Sequence, residues 1–150
     1  MKEKRILLVE DNENDMLLTL RVLRKSKVAN HIDVVRDGVE ALDYLFARGS
    51  YADRKASDLP DVVLLDLKLP KVGGLEVLRQ IRKEHHTKYL PVVILTSSSE
   101  VKDMVNGYEL GANSYVRKAI DFEEFSNAVK QLGIYWLLLN ECPPIQKENR

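Results

Sequence analysis

Short apolar runs alternate along the chain with longer stretches of helical period. The runs are rich in β-branched and aliphatic residues, as expected for strands, and they occupy residues 6–9, 32–35, 62–65, 92–95 and 114–117. The first, third and fourth runs contain only apolar residues, which is typical of strands buried on both faces of a parallel sheet. Because each run precedes a helical stretch, the pattern predicts an α/β fold built from five βα units.

The apolar residues of each helical stretch are spaced so that they fall on one side of a helix. They are Met16, Leu17, Leu20 and Leu23; Val39, Leu42, Leu45 and Phe46; Leu75, Leu78 and Ile81; Val101, Met104, Val105 and Tyr108; and Phe122, Phe125, Val129, Leu132 and Trp136. This spacing predicts five amphipathic helices, each with one apolar stripe packed against the sheet.

Polar and turn-forming residues indicate where the helices begin and end. Ser97 and Asp121 each precede a Glu by three positions, which predicts that they are the N-caps of the fourth and fifth helices. Gly111 and the pair Pro143-Pro144 are expected to end those two helices. Residues 47–60 are polar and rich in turn formers, so we expect a long exposed loop there.

Length and charge limit the classes of partner. The chain has 150 residues, which suits one domain, and its 23 Lys and Arg balance its 23 Asp and Glu. No bulk charge attracts nucleic acid or a membrane surface, and the apolar runs are far shorter than the roughly 18 residues of a membrane span. The single cysteine, Cys142, excludes an internal disulfide. We therefore expect a cytoplasmic protein without direct nucleic-acid or membrane partners.

Polar side chains follow four of the predicted strands at the point where each strand ends. Glu10 and Asp11 follow the first strand, Asp66 the third, Thr96 the fourth and Lys118 the fifth. Ligands of open parallel sheets bind beyond the carboxyl ends of the strands. We therefore expect three carboxylates, a hydroxyl and an ammonium to converge at one edge of the sheet.

Three carboxylates at one edge repel one another unless protons or a cation intervene. A site of oxygen ligands alone suits Mg²⁺ that keeps waters and a phosphate, and an ammonium with a hydroxyl completes a phosphate site. The alternative is that the acidic residues merely end strands and solvate loops. That alternative suits any one of them better than it suits the whole set.

Four segments resemble the signature segments of response-regulator receiver domains, in the family's order. They are Val9-Glu10-Asp11-Asn12, Leu64-Leu65-Asp66-Leu67-Lys68-Leu69-Pro70, Leu95-Thr96-Ser97-Ser98 and Tyr115-Val116-Arg117-Lys118. The resemblance implies a flavodoxin-like fold: a five-stranded parallel sheet of order 2-1-3-4-5, doubly wound by helices. The receiver domain would occupy residues 1–142 with an extended last helix, and residues 143–150 predict a mobile C-terminal tail.

The resemblance also implies a magnesium-dependent phosphorylation site. Asp66 would be the phosphorylated aspartate, a carboxylate nucleophile that forms an acyl phosphate. Asp11 and Asp66 would bind Mg²⁺ together with the backbone carbonyl of Lys68, while Glu10 would assist through water.

Two further residues are implied to contact the phosphoryl group. Thr96 would receive one phosphoryl oxygen and Lys118 would neutralise another, so that catalysis comes from positioning and charge. Thr96 and Tyr115 would form the switch: the hydroxyl moves toward the phosphate and the aromatic ring follows inward. The protein would thus catalyse only its own phosphorylation and dephosphorylation and would not be an enzyme in the ordinary sense.

A narrower resemblance concerns the partner. Residues 37–45, the loop at 47–60 and residues 133–141 look like those of the single-domain regulators that partner phytochrome-type sensor kinases. The implied phosphoryl donor is the phosphohistidine of a sensor histidine kinase, a phytochrome by this resemblance, with acetyl phosphate as a small donor. Since no output domain is attached, we expect the signal to leave through protein contacts, including a homodimer through the last helix region, or to return to the kinase with the protein acting as a phosphate sink.

Two positions depart from the family pattern. Ala119 stands where the family usually has proline after the lysine, which leaves the geometry of the Lys118–Ala119 peptide open. Lys68 is less common than Met or Asn at its position. Its side chain either leans over the phosphoryl group or is a solvated surface lysine.

Two other functions compete with a receiver. A phosphohydrolase of the haloacid-dehalogenase type also pairs a strand-end Asp nucleophile with Thr, Lys and Mg²⁺. That site needs a second Asp two residues after the first, and Lys68 stands there instead. A phosphorylation-independent adaptor would have lost the switch, yet all five site residues are present.

Overall fold

The computed structural model describes residues 4–27, 31–118 and 121–143, and a five-stranded parallel sheet forms its centre. The strands are β1 (Arg5–Val9), β2 (His31–Val35), β3 (Val62–Leu65), β4 (Val92–Thr96) and β5 (Ser114–Arg117). Their order is β2-β1-β3-β4-β5 and every neighbouring pair is parallel. The predicted strands, their order and the doubly wound fold are therefore confirmed.

Helices cover both faces of the sheet, as predicted. They are α1 (Glu13–Ser26), α2 (Gly38–Phe46), α3 (Gly74–Lys83), α4 (Val101–Glu109) and α5 (Phe122–Ile134). Residues of β1 alternate between the two cores because successive side chains of a strand point to opposite faces. Leu7 and Val9 pack with α2 and α3, whereas Ile6 and Leu8 pack with α1 and α5. Within the described residues, no helix is long and apolar enough to cross a membrane.

The apolar stripe predicted for α4 is not buried, so that prediction is wrong. Val101 is 70% exposed, and Met104, Val105 and Tyr108 are 41–50% exposed. The helix instead meets the sheet through Gly107, its one buried residue, where an added Cβ would lie 2.7 Å from Ile94 Cδ1. Any side chain at this position would have to displace the end of Ile94, so glycine favours the close approach, and the large apolar residues of α4 face solvent.

One predicted N-cap is confirmed and the other is wrong. The Asp121 carboxylate accepts the backbone N–H groups of Glu123 and Glu124, at 2.8 and 3.2 Å. Ser97 does not cap α4, because the helix begins only at Val101. The preceding segment folds instead around Ser98, which is buried.

The last helix changes its winding before it ends. After Ile134 the chain continues as a π-helical segment, Tyr135–Leu139, and Asn140 donates its backbone N–H to the Tyr135 carbonyl. The helix thus stops before Pro143, ahead of the predicted proline stop. The tail predicted at 143–150 falls, except for Pro143, outside the described residues, and so does Ala119 of the Lys118–Ala119 peptide.

The loop at 47–60 is anchored on α2. It contains a 3₁₀ turn, Gly49–Tyr51, and Tyr51 Oη donates to Glu40 Oε2 at 2.7 Å. The Arg54 guanidinium lies 3.7 Å from the centre of the Tyr44 ring and donates to the Tyr44 carbonyl. The loop therefore packs against α2.

Candidate functional site

Asp66 lies at the end of β3 and is almost fully buried. Its backbone N–H donates to the Val9 carbonyl at 3.1 Å, and its Oδ1 accepts the N–H of Leu67 at 2.7 Å. A Cβ on Gly74, the first residue of α3, would lie 2.2 Å from the Asp66 carbonyl oxygen. The close approach of α3 and the local hydrogen bonds fix one carboxylate oxygen, and they leave Oδ2 facing the edge of the sheet.

Glu10 and Asp11 complete an acidic cluster at the end of β1. Glu10 is buried, and its Oε2 accepts the N–H of Asn12 at 3.2 Å. Asp11 is exposed, and Arg36 holds its backbone by donating to the Asp11 carbonyl at 3.1 Å. Ligand oxygens of Glu10, Asp11 and Asp66 all lie within 4.8 Å of one another.

Lys118 enters this cluster from the end of β5. Its backbone N–H donates to the Thr96 carbonyl at 2.7 Å, which continues the β4–β5 pairing, and its side chain is only 7% exposed. The ammonium lies 2.6 Å from Glu10 Oε1, 2.8 Å from Asp15 Oδ2 and 3.1 Å from Asp66 Oδ2. Three acceptors thus match its three donors.

Burial and charge act in opposite directions on the ionisable groups of the cluster. Burial raises the pKa of Glu10 to about 7, an effect that the hydrogen bond from Lys118 opposes and the charge of Asp66 reinforces. Burial alone would lower the pKa of Lys118, but its hydrogen bonds to Asp15 and Glu10 and the charge of Asp66 outweigh it and raise that pKa. The ammonium is therefore a permanent cation, while Glu10 exchanges protons near neutral pH.

Thr96 and Tyr115 meet at the backbone of one residue, Ser98. Thr96 Oγ1 accepts the Ser98 N–H at 3.3 Å, and Tyr115 Oη donates to the Ser98 carbonyl at 3.3 Å. The Ser98 hydroxyl donates to Asp103 Oδ2, in the first turn of α4, at 2.6 Å. Ser98 thus connects Thr96 with Tyr115, and it connects both of them with α4.

Six of the seven predicted site residues lie at the carboxyl edge of the sheet; the seventh, Tyr115, lies within β5, and its hydroxyl reaches the Ser98 carbonyl. Lys68 lies beside the cluster with its N–H 3.4 Å from Asp66 Oδ1, and its side chain is exposed. Sequence reasoning missed Asp15, Arg36 and Ser98. A signal existed for Asp15, because Asn12-x-x-Asp15 is a capping pattern and Asn12 Oδ1 does accept the Asp15 N–H at 2.9 Å.

The three clustered carboxylates fit a divalent cation. Carboxylate oxygens are the ligands that Mg²⁺ and Mn²⁺ prefer, and the exposed side chain of Asp11 opens the cluster to solvent. A single ammonium cannot balance the negative charge of Glu10, Asp11, Asp15 and Asp66 together. The arrangement can therefore hold a cation and an anionic ligand side by side.

Comparison with known proteins identifies relatives that match most of the chain. Residues 6–130 match the response regulator receiver domain family. Response regulator Rcp1 of Synechocystis sp. is 37% identical over 134 residues, which are 89% of this chain and 89% of that protein.

Solved structures give the same result. The phosphorylated cyanobacterial phytochrome response regulator RcpA is 38% identical with a TM-score of 0.88, over 95% of this chain and 100% of that one. The bacteriophytochrome response regulator RtBRR is 52% identical with a TM-score of 0.75, over 95% and 86%. The Mn²⁺-bound form of Rcp1 is 35% identical with a TM-score of 0.86, over 94% and 99%.

Replacement of Lys118 by Met is expected to destabilise the protein most strongly at high pH. Without the ammonium, buried carboxylates lose their counter-charge, which costs about 3 kcal/mol when one partner of a buried pair is removed. The pKa of Glu10 is above its ordinary value in the folded state, so ionisation of Glu10 lowers the free energy of unfolding as pH rises from 4.5 through about 7. Loss of Lys118 raises the pKa of Glu10 further, because the hydrogen bond from Lys118 lowers it. The free energy of unfolding therefore falls more steeply as pH rises.

Urea denaturation at pH 5 and pH 8, without divalent cations, measures this difference. Lys102→Met is the control, because Lys102 is 76% exposed and its pairing with Glu100 at 3.6 Å contributes little. A loss of stability for Lys118→Met that is equal at both pH values would contradict the electrostatic explanation.

Proposed function

Because the chain belongs to the response regulator receiver domain family, we propose that Asp66 is the residue that accepts the phosphoryl group. The observation that carries this proposal is the position of Asp66 Oδ2, which lies 3.1 Å from Lys118 Nζ at the carboxyl edge of the sheet. Oδ1 is tied to the N–H of Leu67, so Oδ2 is the oxygen directed at a ligand.

The proposed reaction is a direct transfer between a phosphohistidine and Asp66. An Asp66 oxygen forms a bond to phosphorus while the phosphorus–nitrogen bond of the donor breaks, and the imidazole keeps the electron pair. Lys118 donates to one phosphoryl oxygen and Thr96 to another, which neutralises charge as it moves outward from the carboxylate. In dephosphorylation, water attacks phosphorus, the bond between phosphorus and the Asp66 oxygen breaks, and the products are the Asp66 carboxylate, inorganic phosphate and a proton released to solvent.

We assign the divalent cation to Glu10, Asp11 and Asp66, with the Lys68 carbonyl as a further ligand. The cation is proposed to be Mg²⁺, since an oxygen site that also holds phosphate suits it, and the Mn²⁺-bound structure of Rcp1 supports a divalent metal. When bound, it supplies positive charge beside the phosphoryl oxygens. Asp11 and Asp66 would be the direct carboxylate ligands, and Glu10 would act through water.

The switch is proposed to act through Ser98. If the Thr96 hydroxyl turns toward the phosphoryl group, it releases the Ser98 N–H, and Ser98, whose carbonyl accepts the Tyr115 hydroxyl, is free to move. A charge-assisted hydrogen bond contributes roughly 1.5–3 kcal/mol, enough to shift the balance between two conformations. Asp103 extends the change to α4 through its hydrogen bond with Ser98.

The phosphoryl donor is proposed to be a phytochrome-type sensor histidine kinase. The proposed location is the cytoplasm, where such a kinase obtains its phosphoryl group from ATP. The names of RcpA and RtBRR support this partner. Homodimerisation through the last helix region is also proposed, since Tyr135, Leu138 and Leu139 are 49–67% exposed and apolar in character.

Neither competing function accounts for these features as well. The haloacid-dehalogenase chemistry needs a second aspartate at position 68, where the exposed Lys68 stands. An adaptor without a switch gives no reason to gather several carboxylates around one ammonium, because the excess negative charge destabilises the fold unless a cation binds.

Asp66→Asn is expected to abolish phosphorylation while the fold is retained. The amide oxygen can still accept the Leu67 N–H, but it is not a nucleophile at phosphorus. Incubation with acetyl phosphate and Mg²⁺, read by intact mass, is expected to add one phosphate to the wild type and none to the variant.

Asp53→Asn is the matched control, because Asp53 is exposed in the loop at 47–60 and is expected to label normally. Wild-type labelling in Asp66→Asn would contradict the assignment. Rapid release of inorganic phosphate from many phosphoesters would favour the hydrolase, and no labelling of the wild type would favour the adaptor.

Thr96→Val is expected to accept the phosphate mimic beryllofluoride without the conformational response. Valine keeps the shape of threonine but can neither accept the Ser98 N–H nor donate to a phosphoryl oxygen, so Ser98 and Tyr115 no longer respond to the ligand. NMR spectra of the Tyr115 ring, recorded with and without beryllofluoride and Mg²⁺, measure the response.

Thr96→Ser retains the hydroxyl and is expected to respond as the wild type does. Equal shifts of the Tyr115 resonances in wild type and Thr96→Val would show that Thr96 does not carry the switch.

A further inference from the structure

Asp15 is the partner of Lys118 that the receiver signature does not explain. It lies in the first turn of α1, 103 residues from Lys118, and its Oδ2 is 2.8 Å from the ammonium. The other two partners, Glu10 and Asp66, belong to the cluster assigned to the cation. Asp15 is not a member of that cluster.

The backbone of Asp15 is fixed on both sides. Its N–H donates to Asn12 Oδ1 at 2.9 Å, and its carbonyl accepts the Thr19 hydroxyl at 2.7 Å. Helix α1 is itself anchored to the sheet by the buried Leu20 and Leu23. The Asp15 carboxylate therefore reaches the ammonium from a rigid support outside the cation cluster.

We propose that Asp15 is a positioning residue that holds the Lys118 ammonium in place while Asp66 is phosphorylated; this inference rests on the proposed role of Asp66. On phosphorylation the charge of the Asp66 carboxylate moves to the phosphoryl oxygens, so the contact between Asp66 Oδ2 and Lys118 is lost or rearranged. Glu10 is also committed to the cation cluster. Asp15 is then the acceptor whose hold on the ammonium does not change.

This role makes a difference to rate because the ammonium acts only if it is correctly placed. A small displacement of a charged group from the reacting atoms strongly reduces its contribution to a transition state. Without Asp15, the remaining acceptors draw the ammonium toward Glu10, on the β1 side of the cluster. The maximal rate of phosphoryl transfer is then expected to fall, whereas affinity for the cation is not.

The competing interpretation is purely structural. Acidic residues in the first turn of a helix interact favourably with its dipole, and Asp15 could stabilise α1 in that way alone. Glu13 offers the matched control, since it is an exposed acidic residue in the same first turn and is not among the partners of the Lys118 ammonium.

The test compares wild type, Asp15→Ala, Asp15→Asn and Glu13→Ala. Phosphorylation by acetyl phosphate at saturating Mg²⁺ gives the maximal rate and the half-saturating donor concentration, and a separate titration gives the Mg²⁺ affinity. We expect the maximal rate of Asp15→Ala to fall about tenfold with unchanged Mg²⁺ affinity, and Glu13→Ala to match the wild type. Asp15→Asn keeps an acceptor oxygen and is expected to recover part of the rate.

Three results would overturn the inference. They are a wild-type maximal rate in Asp15→Ala, a rate loss that follows an equal loss of Mg²⁺ affinity, and Asp15→Asn as slow as Asp15→Ala. Urea denaturation of each variant verifies folding. If Asp15→Ala does not fold, the maximal rate of Asp15→Asn is compared with that of Glu13→Gln instead. A lower rate for Asp15→Asn at unchanged Mg²⁺ affinity supports the inference, and equal rates overturn it. If the wild type itself is not labelled at Asp66, the proposed function fails; if it is labelled and Asp15→Ala is normal, only this inference fails.

Discussion

The buried ammonium of Lys118 lies among three carboxylates, and the geometry of the site depends on that set of contacts. The ammonium joins the ends of β1, β3 and β5 to the start of α1, since Glu10, Asp66 and Asp15 come from different elements. Each contact is worth more in this poorly solvated place than at the surface. Removal of the ammonium would leave several negative charges at the centre of the sheet edge.

The same contacts connect stability with function. A cluster of carboxylates that includes a buried Glu10, whose pKa is raised to about 7, is costly for the fold. Such a loss of stability is typical of a binding site, where buried charged groups are held in place for a ligand. The carboxylates can bind a divalent cation, and the ammonium can bind a phosphoryl group. The parallel sheet brings the necessary side chains to one edge.

The sequence was sufficient for the sheet but not for every helix. The apolar runs of β1, β3 and β4 predict buried strands because short runs of β-branched and aliphatic residues between helical stretches are typical of a parallel sheet. The apolar stripe of α4 was misleading. The spacing of Val101 and Met104 shows that they share one side of the helix, but it does not show whether that side faces the sheet. The close approach at Gly107 decided the orientation, and that depends on the position of Ile94, 13 residues away.

The sequence likewise predicted some residues of the site and missed others. Strand-end positions identify Asp66, Glu10 and Lys118, since the topology alone brings them together. Asp15 lies on a helix, five residues after Glu10, and its side chain meets Lys118 only because of how α1 packs on the sheet. The sequence named Ser98 only within the segment Leu95-Thr96-Ser97-Ser98, and its contacts with Thr96 and Tyr115 depend on the folded structure.

A crystal structure of the protein with Mg²⁺ and beryllofluoride tests the central claim most directly. The account predicts beryllium bonded to an Asp66 oxygen, a cation in contact with Asp11 and Asp66, and Lys118 Nζ within hydrogen-bonding distance of both a fluoride and Asp15. Beryllofluoride bound away from Asp66, or Lys118 turned out to solvent in the complex, would contradict it.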